Sequence, residues 1–285
     1  MSESDHFFER ATRLLERWER QLDSRPQPPD WTYDAYRWRN DRRGAHLLPV
    51  RHPHRVGLDD LLCMDHQKAE LLRNTARFVD QRPANNALLW GARGTGKSTL
   101  IKAVFNHFVD RGLRLIEVEK EHLIDLAEIL EALEGRQERF LLFCDDLSFE
   151  ADEPGYKPLK AVLEGSIAAP AENVLIYASS NRRHLMPESK ADNQDVHRVD
   201  GEIHPGEAIE EKISLSERFG LWLSFYPFTQ DQYLSIVEHW LGCLAAGSCR
   251  DEVTRKAALQ WATRRGSRSG RVARQFAVDW AGRRD

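Results

Sequence analysis

The sequence predicts an α/β fold in which a parallel sheet of five strands lies between helices, followed by a small all-α domain at the C-terminus. Short apolar runs alternate with helical patterns from residue 87 onward. These runs stop after Pro227, and three helical patterns follow. A glycine-rich loop links the first apolar run to the helical pattern behind it. Continuous apolar strands that alternate with helices are typical of a parallel sheet covered on both faces.

The predicted strands are the apolar runs at 87–90, 113–118, 140–144, 174–177 and 222–225. Helical patterns, in which apolar residues recur every three or four positions, lie between them and around them. Within the α/β part they cover 58–81, 97–110, 121–134 and 158–168. Beyond the last strand they cover 230–245, 251–264 and 270–282.

We divide the chain into three parts. Residues 1–30 hold an amphipathic helix, predicted over 4–23, and a proline-rich linker. Residues 31–228 form the α/β core, and residues 229–285 form the helical domain. Within the core, 31–55 is expected to be irregular, aromatic and basic. The polar insert 183–213 is interpreted either as a partner-binding hairpin or as a surface loop.

Composition excludes some classes of protein. The 285 residues carry a net charge of −4, so no overall field attracts nucleic acid or an anionic membrane. No apolar run is long enough to span a bilayer, and the N-terminus does not resemble a secretory signal. The four cysteines form no Cys-x-x-Cys pair, and His52 and His54 have no further ligands at metal spacing. We therefore expect a cytoplasmic protein with reduced thiols and no metal ion besides the one inferred below.

The glycine-rich loop at residues 91–98, called the P-loop below, fits the pattern G-x-x-x-x-G-K-[ST] and stands between a predicted strand and a predicted helix. Glycines let backbone N–H groups point at phosphate oxygens, and the helix N-terminus favours negative charge. Lys97 is expected to reach the β- and γ-phosphates, and the Ser98 hydroxyl to bind Mg²⁺. The predicted nucleotide-binding residues are Gly91, Ala92, Arg93, Gly94, Thr95, Gly96, Lys97, Ser98 and Thr99.

Polar residues follow the third and fourth predicted strands. Asp145 and Asp146 end the third strand, which we place beside the P-loop strand. Asp145 is expected to bind Mg²⁺, and Asp146 to orient or deprotonate the attacking water, with Glu150 as a second candidate base. Asn181, after the fourth strand, either positions that water or simply forms a turn.

Two arginines lie where they are able to contact phosphate. Arg218 precedes the fifth strand and either reaches the γ-phosphate of a neighbouring subunit or pairs with an acid such as Glu217. Arg271 begins the last helical pattern and either contacts the bound nucleotide or faces solvent, like other arginines of that region.

These motifs occur in the same order as in the AAA+ ATPases, which the sequence resembles. Within that class it is similar to the branch that holds the replication initiator DnaA and the helicase loader DnaC. The runs at 114–118, 143–150, 180–185 and 215–222 resemble more closely an uncharacterised bacterial family of AAA+ ATP-binding proteins, known as a domain of unknown function. The resemblance covers about residues 31–280.

The resemblance implies a role for each motif. Residues 91–98 are Walker A, and 61–64 lie where AAA+ proteins bind adenine. Most AAA+ proteins carry Asp-Glu in Walker B, whereas this chain has an Asp pair, as the DnaA-like branch also does. The implied roles of single residues are Walker B for Asp145 and Asp146, sensor 1 for Asn181, the arginine finger for Arg218 and sensor 2 for Arg271.

These implications favour a Mg²⁺-dependent ATPase that binds ATP and ADP, forms a homo-oligomer and remodels a protein client. The alternative is an ATP-gated loader or switch acting on DNA, in which the arginines and aromatic residues of 31–55 bind single strands. The net charge of −4 disfavours that alternative. A P-loop kinase is disfavoured by the three helices that follow the last strand.

Overall fold

A computed structural model describes most of the chain, and its main sheet has seven strands. The strands are β1 (Ala35–Asp41), β2 (Gly44–Pro49), β3 (Ala87–Gly91), β4 (Leu113–Glu117), β5 (Arg139–Cys144), β6 (Val174–Ser180), β7 (His197–Val199), β8 (Glu202–His204) and β9 (Leu221–Phe225). The main sheet has the order β2-β1-β4-β5-β6-β3-β9, and β7 pairs with β8 alone. The described residues are 10, 12–16, 28–42, 44–149, 155–164, 172–183, 185, 197–199, 202–204, 215–244 and 251–283.

Seven helices accompany the sheet in this part of the chain. They are α1 (Asp65–Val79), α2 (Lys97–Phe108), α3 (Leu126–Leu133), α4 (Tyr156–Glu164), α5 (Gln230–Cys243), α6 (Glu252–Arg265) and α7 (Gly270–Ala281). Short 3₁₀ helices lie at Leu58–Asp60, Val109–Arg111 and Lys120–Asp125. None of the helices in the described ranges is long and apolar enough to cross a membrane.

The five predicted strands are confirmed as β3, β4, β5, β6 and β9, which pair in parallel. Successive residues of a strand point to opposite faces of the sheet. Leu88 of β3 accordingly packs into one core with Leu142, whereas Leu89 packs into the other core with Leu141. Burial on both faces explains why these strands appear in the sequence as continuous apolar runs.

The prediction of irregular structure over 31–55 is wrong, because β1 and β2 form an antiparallel hairpin there. β1 also pairs in parallel with β4 and extends the sheet at that edge. Tyr36 and Trp38 are buried, whereas Arg37 and Arg39, which alternate with them, point to the other face. This alternation of aromatic and charged residues is a strand pattern of period two. The number of basic residues in the segment obscured it.

Acidic residues on and after β4 neutralise the arginines of this hairpin. Arg37 pairs with Glu117 at 2.8 Å, and Arg39 pairs with Glu119 at 2.6 Å. The Arg39 hydrogen bond is the main reason that the pKa of Glu119 lies below its ordinary value. The basic residues therefore hold the edge of the sheet together.

The C-terminal helices α5, α6 and α7 follow β9 and share a core with one face of the sheet. Tyr233 and Phe276 belong to the same buried cluster as Leu61, Met64 and residues of α2.

The division of the chain at 228/229 remains a prediction. Residues 10 and 12–16 are helical, and the rest of the helix predicted over 4–23 lies outside the described residues. In the insert 183–213, β7 and β8 form a short hairpin.

Candidate functional site

The glycine-rich loop begins at the end of β3, where only glycine fits. Gly91 has a φ of +131°, and a Cβ atom there would lie 2.0 Å from the carbonyl oxygen of Phe225. The next residue, Ala92, donates its N–H to that same oxygen at 3.0 Å. The loop ends at Gly96, the N-cap of α2, with a φ of +101°. Among the described residues no side chain caps α2, so the N–H groups of its first turn are free for an anion.

Lys97 is buried beneath the loop with 5% of its surface exposed. Its Nζ donates hydrogen bonds to the carbonyls of Gly91 at 2.9 Å and Ala92 at 2.8 Å, and to Oδ1 of Asn181 at 3.1 Å. Burial lowers the pKa of Lys97, and the carboxylates of Asp146 and Asp145 oppose that shift. The ammonium group is therefore already at the loop, held by acceptors that phosphate oxygens can replace.

Asp145, which follows β5, meets two hydroxyl groups. Ser98 Oγ and Ser179 Oγ each donate to Asp145 Oδ1 at 2.5 Å. Mg²⁺ prefers oxygen ligands from carboxylates, hydroxyls and phosphates. The convergence of the Ser98 hydroxyl on the Asp145 carboxylate fits a magnesium site, as the sequence predicts.

Asp146 has an unusual backbone conformation, with a φ of +50°. Its N–H donates to Ser179 Oγ at 3.1 Å, and its carboxylate accepts a hydrogen bond from the Asn181 side-chain amide. Non-glycine residues rarely adopt this region, and strain of this kind is commonest at functional sites. The turn directs the Asp146 side chain into the cleft, away from the strand axis.

The expectation that the strand before Asp145 lies beside the P-loop strand is wrong. β6 stands between β5 and β3, and its pairing places Ala178 opposite Cys144. Ser179, one residue further along β6, therefore lies beside Asp145 and links the acidic pair to the P-loop. We did not identify Ser179 as a site residue. The sequence signal for it was the short run at 178–181, which contains two serines and an asparagine and directly follows an apolar strand.

The loop opens into a cleft with a volume of about 1430 Å³, between the α/β core and the C-terminal helices. Asp145, Asp146 and Asn181 line its floor with the P-loop. Leu61, Leu62 and Met64 line one side, and a Cβ atom at Gly96 would lie 2.9 Å from Met64 Cε. The segment expected to bind adenine thus contacts the P-loop. Other lining residues not predicted from the sequence include Arg265, Arg274, Trp240 and Trp261.

Helix α7 contacts the P-loop directly. The N–H of Gly270 donates to the carbonyl of Gly94 at 3.0 Å. Ser269, the N-cap of α7, is buried against Gly94, and its Oγ accepts from the N–H of Val272 at 3.3 Å. Arg271, in the first turn, is exposed and lines the cleft.

Arg218 lies apart from the other candidates. It stands just before β9, is not among the residues that line the cleft, and forms an ion pair with Glu164 at the end of α4. The structure thus brings the P-loop, Asp145, Asp146, Asn181 and Arg271 to one cleft and places Arg218 elsewhere. Glu150 lies outside the described residues.

The strand order, the glycine-rich loop after β3 and the three C-terminal helices define a P-loop protein with the AAA+ fold. A family model described as "Protein of unknown function (DUF815)" matches residues 31–284. The chain belongs to that family, which confirms the resemblance seen in the sequence. No protein in the curated set matches the chain.

Solved structures match the chain at low sequence identity. A mutant of RuvB from Thermotoga maritima matches with a TM-score of 0.52 and 13% identity, covering 78% of this chain and 63% of that one. A second RuvB mutant matches with a TM-score of 0.48 and 16% identity, covering 78% of this chain and 62% of that one. Orc1 from Aeropyrum pernix, in complex with DNA, matches with a TM-score of 0.45 and 18% identity, covering 78% of this chain and 66% of that one. This chain therefore spans less than two thirds of the first RuvB structure's length.

Proposed function

We propose that this protein is a Mg²⁺-dependent ATPase that works as a homo-oligomer and remodels a protein partner. The observation that carries the proposal is the position of Lys97. Its Nζ bonds the P-loop and Asn181, and Asn181 in turn bonds Asp146. One hydrogen-bonded chain thus connects the expected phosphate-binding group with the expected water-activating groups.

The binding half of the site is the P-loop with Ser98 and Asp145. The uncapped N–H groups of α2 and the Lys97 ammonium supply positive charge for the phosphates. Ser98 and Asp145 would hold Mg²⁺, which neutralises charge on the phosphates when bound. Arg271, in the first turn of α7 beside the P-loop, adds a further cation to the lining of the cleft.

The catalytic half is Asp146 with Asn181. The Asp146 carboxylate is an acceptor for a proton of the attacking water, and Asn181 holds that carboxylate in place through its amide. Phosphoryl transfer depends mainly on positioning and on stabilisation of charge, so a short, rigid pair suits the task. An aspartate is one methylene shorter than the glutamate of most AAA+ proteins, which predicts slow turnover.

The position of Arg218 supports the proposal of a homo-oligomer. Arg218 does not line its own cleft, and it precedes β9, the edge strand of the sheet, with 22% of its side chain exposed. A finger from the next subunit stabilises charge in the transition state and is worth about 10³–10⁵ in turnover. The ion pair with Glu164 would then hold the arginine until subunits associate.

Two observations disfavour the DNA-associated alternative. Tyr36 and Trp38 are buried at 0% and 3% exposure, so they offer no stacking surface for bases. Arg37 and Arg39 are paired with acids. The RuvB and Orc1 structures share only the fold with this chain and do not favour one function over the other.

Turnover across a protein concentration series tests the proposal. We expect phosphate release per subunit to rise with concentration in the parent and to be lost in Lys97→Ala and Arg218→Ala. Arg111→Ala is the matched control, because Arg111 forms a similar ion pair with Asp80 away from the cleft. Turnover per subunit that stays constant with concentration would contradict the oligomeric part, and turnover in Lys97→Ala would contradict the site itself.

A further inference from the structure

Three side chains of the kinds that bind transition metals meet where the core faces helix α5. Asp60 ends the 3₁₀ helix Leu58–Asp60, just before α1. His239 and Cys243 lie four residues apart on α5 and therefore share one face of that helix. One ligand atom from each of the three side chains lies within 4.8 Å of the other two. Asp60 also lines the cleft, whereas His239 and Cys243 are not among its lining residues.

Two of the three separations between these atoms match those around a zinc ion. His239 Nε2 lies 3.4 Å from Asp60 Oδ1 and 3.6 Å from Cys243 Sγ. Tetrahedral zinc, with bonds of about 2.0 Å to oxygen and nitrogen and about 2.3 Å to sulfur, separates N from O by about 3.3 Å and N from S by about 3.5 Å. Both distances to His239 Nε2 therefore suit one shared ion, and the carboxylate of Asp60 lies within 4.8 Å of the Cys243 sulfur.

Hydrogen bonds among the three side chains do not satisfy all of them at once. The 3.4 Å contact is longer than an ordinary N–H···O bond of about 2.7–3.2 Å. Nε2 carries either one proton or one lone pair, but it faces both a carboxylate and a thiol. If Nε2 is protonated, the thiol has no acceptor there. If it is not, its lone pair faces the carboxylate. A cation at the centre satisfies all three groups.

The carboxylate is already oriented for a ligand. The second oxygen of Asp60, Oδ2, accepts the N–H of Gly57 at 3.1 Å, which leaves Oδ1 directed at His239. Hydrogen bonds of this kind to ligating side chains are typical of metal sites. The Asp60 and His239 side chains are 34% and 23% exposed, and Cys243 is exposed, so an ion can enter from solvent.

We propose that Asp60, His239 and Cys243 bind a zinc ion, with solvent as the fourth ligand. A mixed oxygen, nitrogen and sulfur set suits zinc, and the Cys243 thiol binds as thiolate after losing its proton to solvent. The ion joins α5 to the segment that leads into 61–64, which contacts the P-loop at Gly96. It fixes the C-terminal helices over the cleft. This inference does not depend on ATP hydrolysis.

Cobalt titration of the metal-free full-length protein tests the site. Cobalt bound to a thiolate gives a charge-transfer absorption band, and zinc displaces it. We expect about one equivalent to bind. Cys243→Ser should lose the band, and His239→Gln should bind roughly 100-fold more weakly. Cys63→Ser is the matched control, since Cys63 is a half-buried thiol three residues from Asp60, and it should titrate like the parent.

Thermal unfolding gives a second readout. Zinc should raise the unfolding temperature of the parent and of Cys63→Ser, because an ion that binds only the folded chain stabilises it. It should leave that of Cys243→Ser unchanged. Far-ultraviolet circular dichroism of the metal-free variants reports whether they remain folded. The absence of a thiolate band in the parent, its survival in Cys243→Ser, or equal stabilisation of all three proteins would overturn the proposal.

Discussion

The backbone N–H of Gly270 donates a hydrogen bond of 3.0 Å to the carbonyl of Gly94, and so helix α7 is attached to the P-loop. Gly94 has a φ of +75°, and a Cβ atom there would lie 2.9 Å from both Cβ and Oγ of Ser269. The missing side chain at Gly94 is therefore what lets the C-terminal helices approach the loop. Movement of these helices and the shape of the loop should be linked.

Gly94→Ala is expected to weaken ATP binding, because the new methyl group displaces Ser269 and the start of α7. Gly135→Ala is the matched control, since Gly135 has a φ of +72° and open space where the Cβ atom would lie. Both variants should lose about 1–2 kcal/mol of unfolding free energy from the left-handed backbone. Only Gly94→Ala should lose affinity in a titration with a fluorescent ATP analogue. Equal affinity in the two variants would refute the linkage.

Asp145→Asn and Asp146→Asn should have different effects. Asp145 bonds Ser98, so its loss should weaken binding of ATP in the presence of Mg²⁺ and leave Mg²⁺-free binding unchanged. Asp146 contacts Asn181, so its loss should preserve binding and reduce turnover by about 10²–10⁴. The measurements are nucleotide titration with and without Mg²⁺ and phosphate release.

Asp110→Asn is the control for both variants, because Asp110 is exposed in the turn after α2. It should resemble the parent in binding and in turnover. If Asp145→Asn and Asp146→Asn proved interchangeable in both assays, the division of the site into binding and catalytic halves would be wrong.

Burial raises the pKa of Tyr177 from 10.0 to about 12. Its hydroxyl lies 2.7 Å from Thr75 Oγ1 and accepts a hydrogen bond from Asn74 Nδ2 at 3.0 Å. The unfolded chain loses this proton at a lower pH than the folded chain does, so the free energy of unfolding falls as pH rises between these two values. The stabilising contribution is fully present below pH 10.

Tyr177→Phe should therefore flatten the alkaline part of the stability curve. Between about pH 8 and pH 11 the parent should lose about 1 kcal/mol more unfolding free energy than the variant does. Tyr226→Phe, which removes an exposed hydroxyl, should follow the parent. Urea unfolding at both pH values measures the difference. Parallel losses in the parent and Tyr177→Phe would show that the buried hydroxyl makes no such contribution.

Much of the cleft was predictable because its residues follow apolar strands. Asp145 and Asn181 directly follow β5 and β6, and the loop that follows β3 leads to Lys97. The carboxyl ends of parallel strands meet at one edge of a sheet. The strand order was not predictable in the same way. The position of β6 between β5 and β3 depends on tertiary packing. That position makes Ser179 part of the site.

Two other features depended on contacts between distant parts of the chain. The hairpin of β1 and β2 was not predicted, because Arg37 and Arg39 make the segment look basic and hide its alternation of buried and exposed residues. Their acidic partners are 80 positions away. The cluster of Asp60, His239 and Cys243 was missed because a span of 179 residues separates its first two members.

Glu164→Gln separates two roles of Arg218. If Arg218 serves only as a structural partner of Glu164, then Glu164→Gln and Arg218→Ala should reduce turnover alike. We expect instead that Arg218→Ala lowers turnover by about 10³–10⁵. Glu164→Gln should stay within about threefold of the parent, because an exposed ion pair contributes little to stability. Steady-state phosphate release at high protein concentration makes the comparison.

The central claim, that each active site is completed by a neighbouring subunit, is tested most directly by mixing Lys97→Ala with Arg218→Ala. Each variant alone should be inactive. In a random mixed oligomer about a quarter of the interfaces join an intact P-loop to an intact arginine. Equal mixing should therefore restore about a quarter of the parent turnover. A mixture that stays inactive, although both variants associate with the parent, would contradict it.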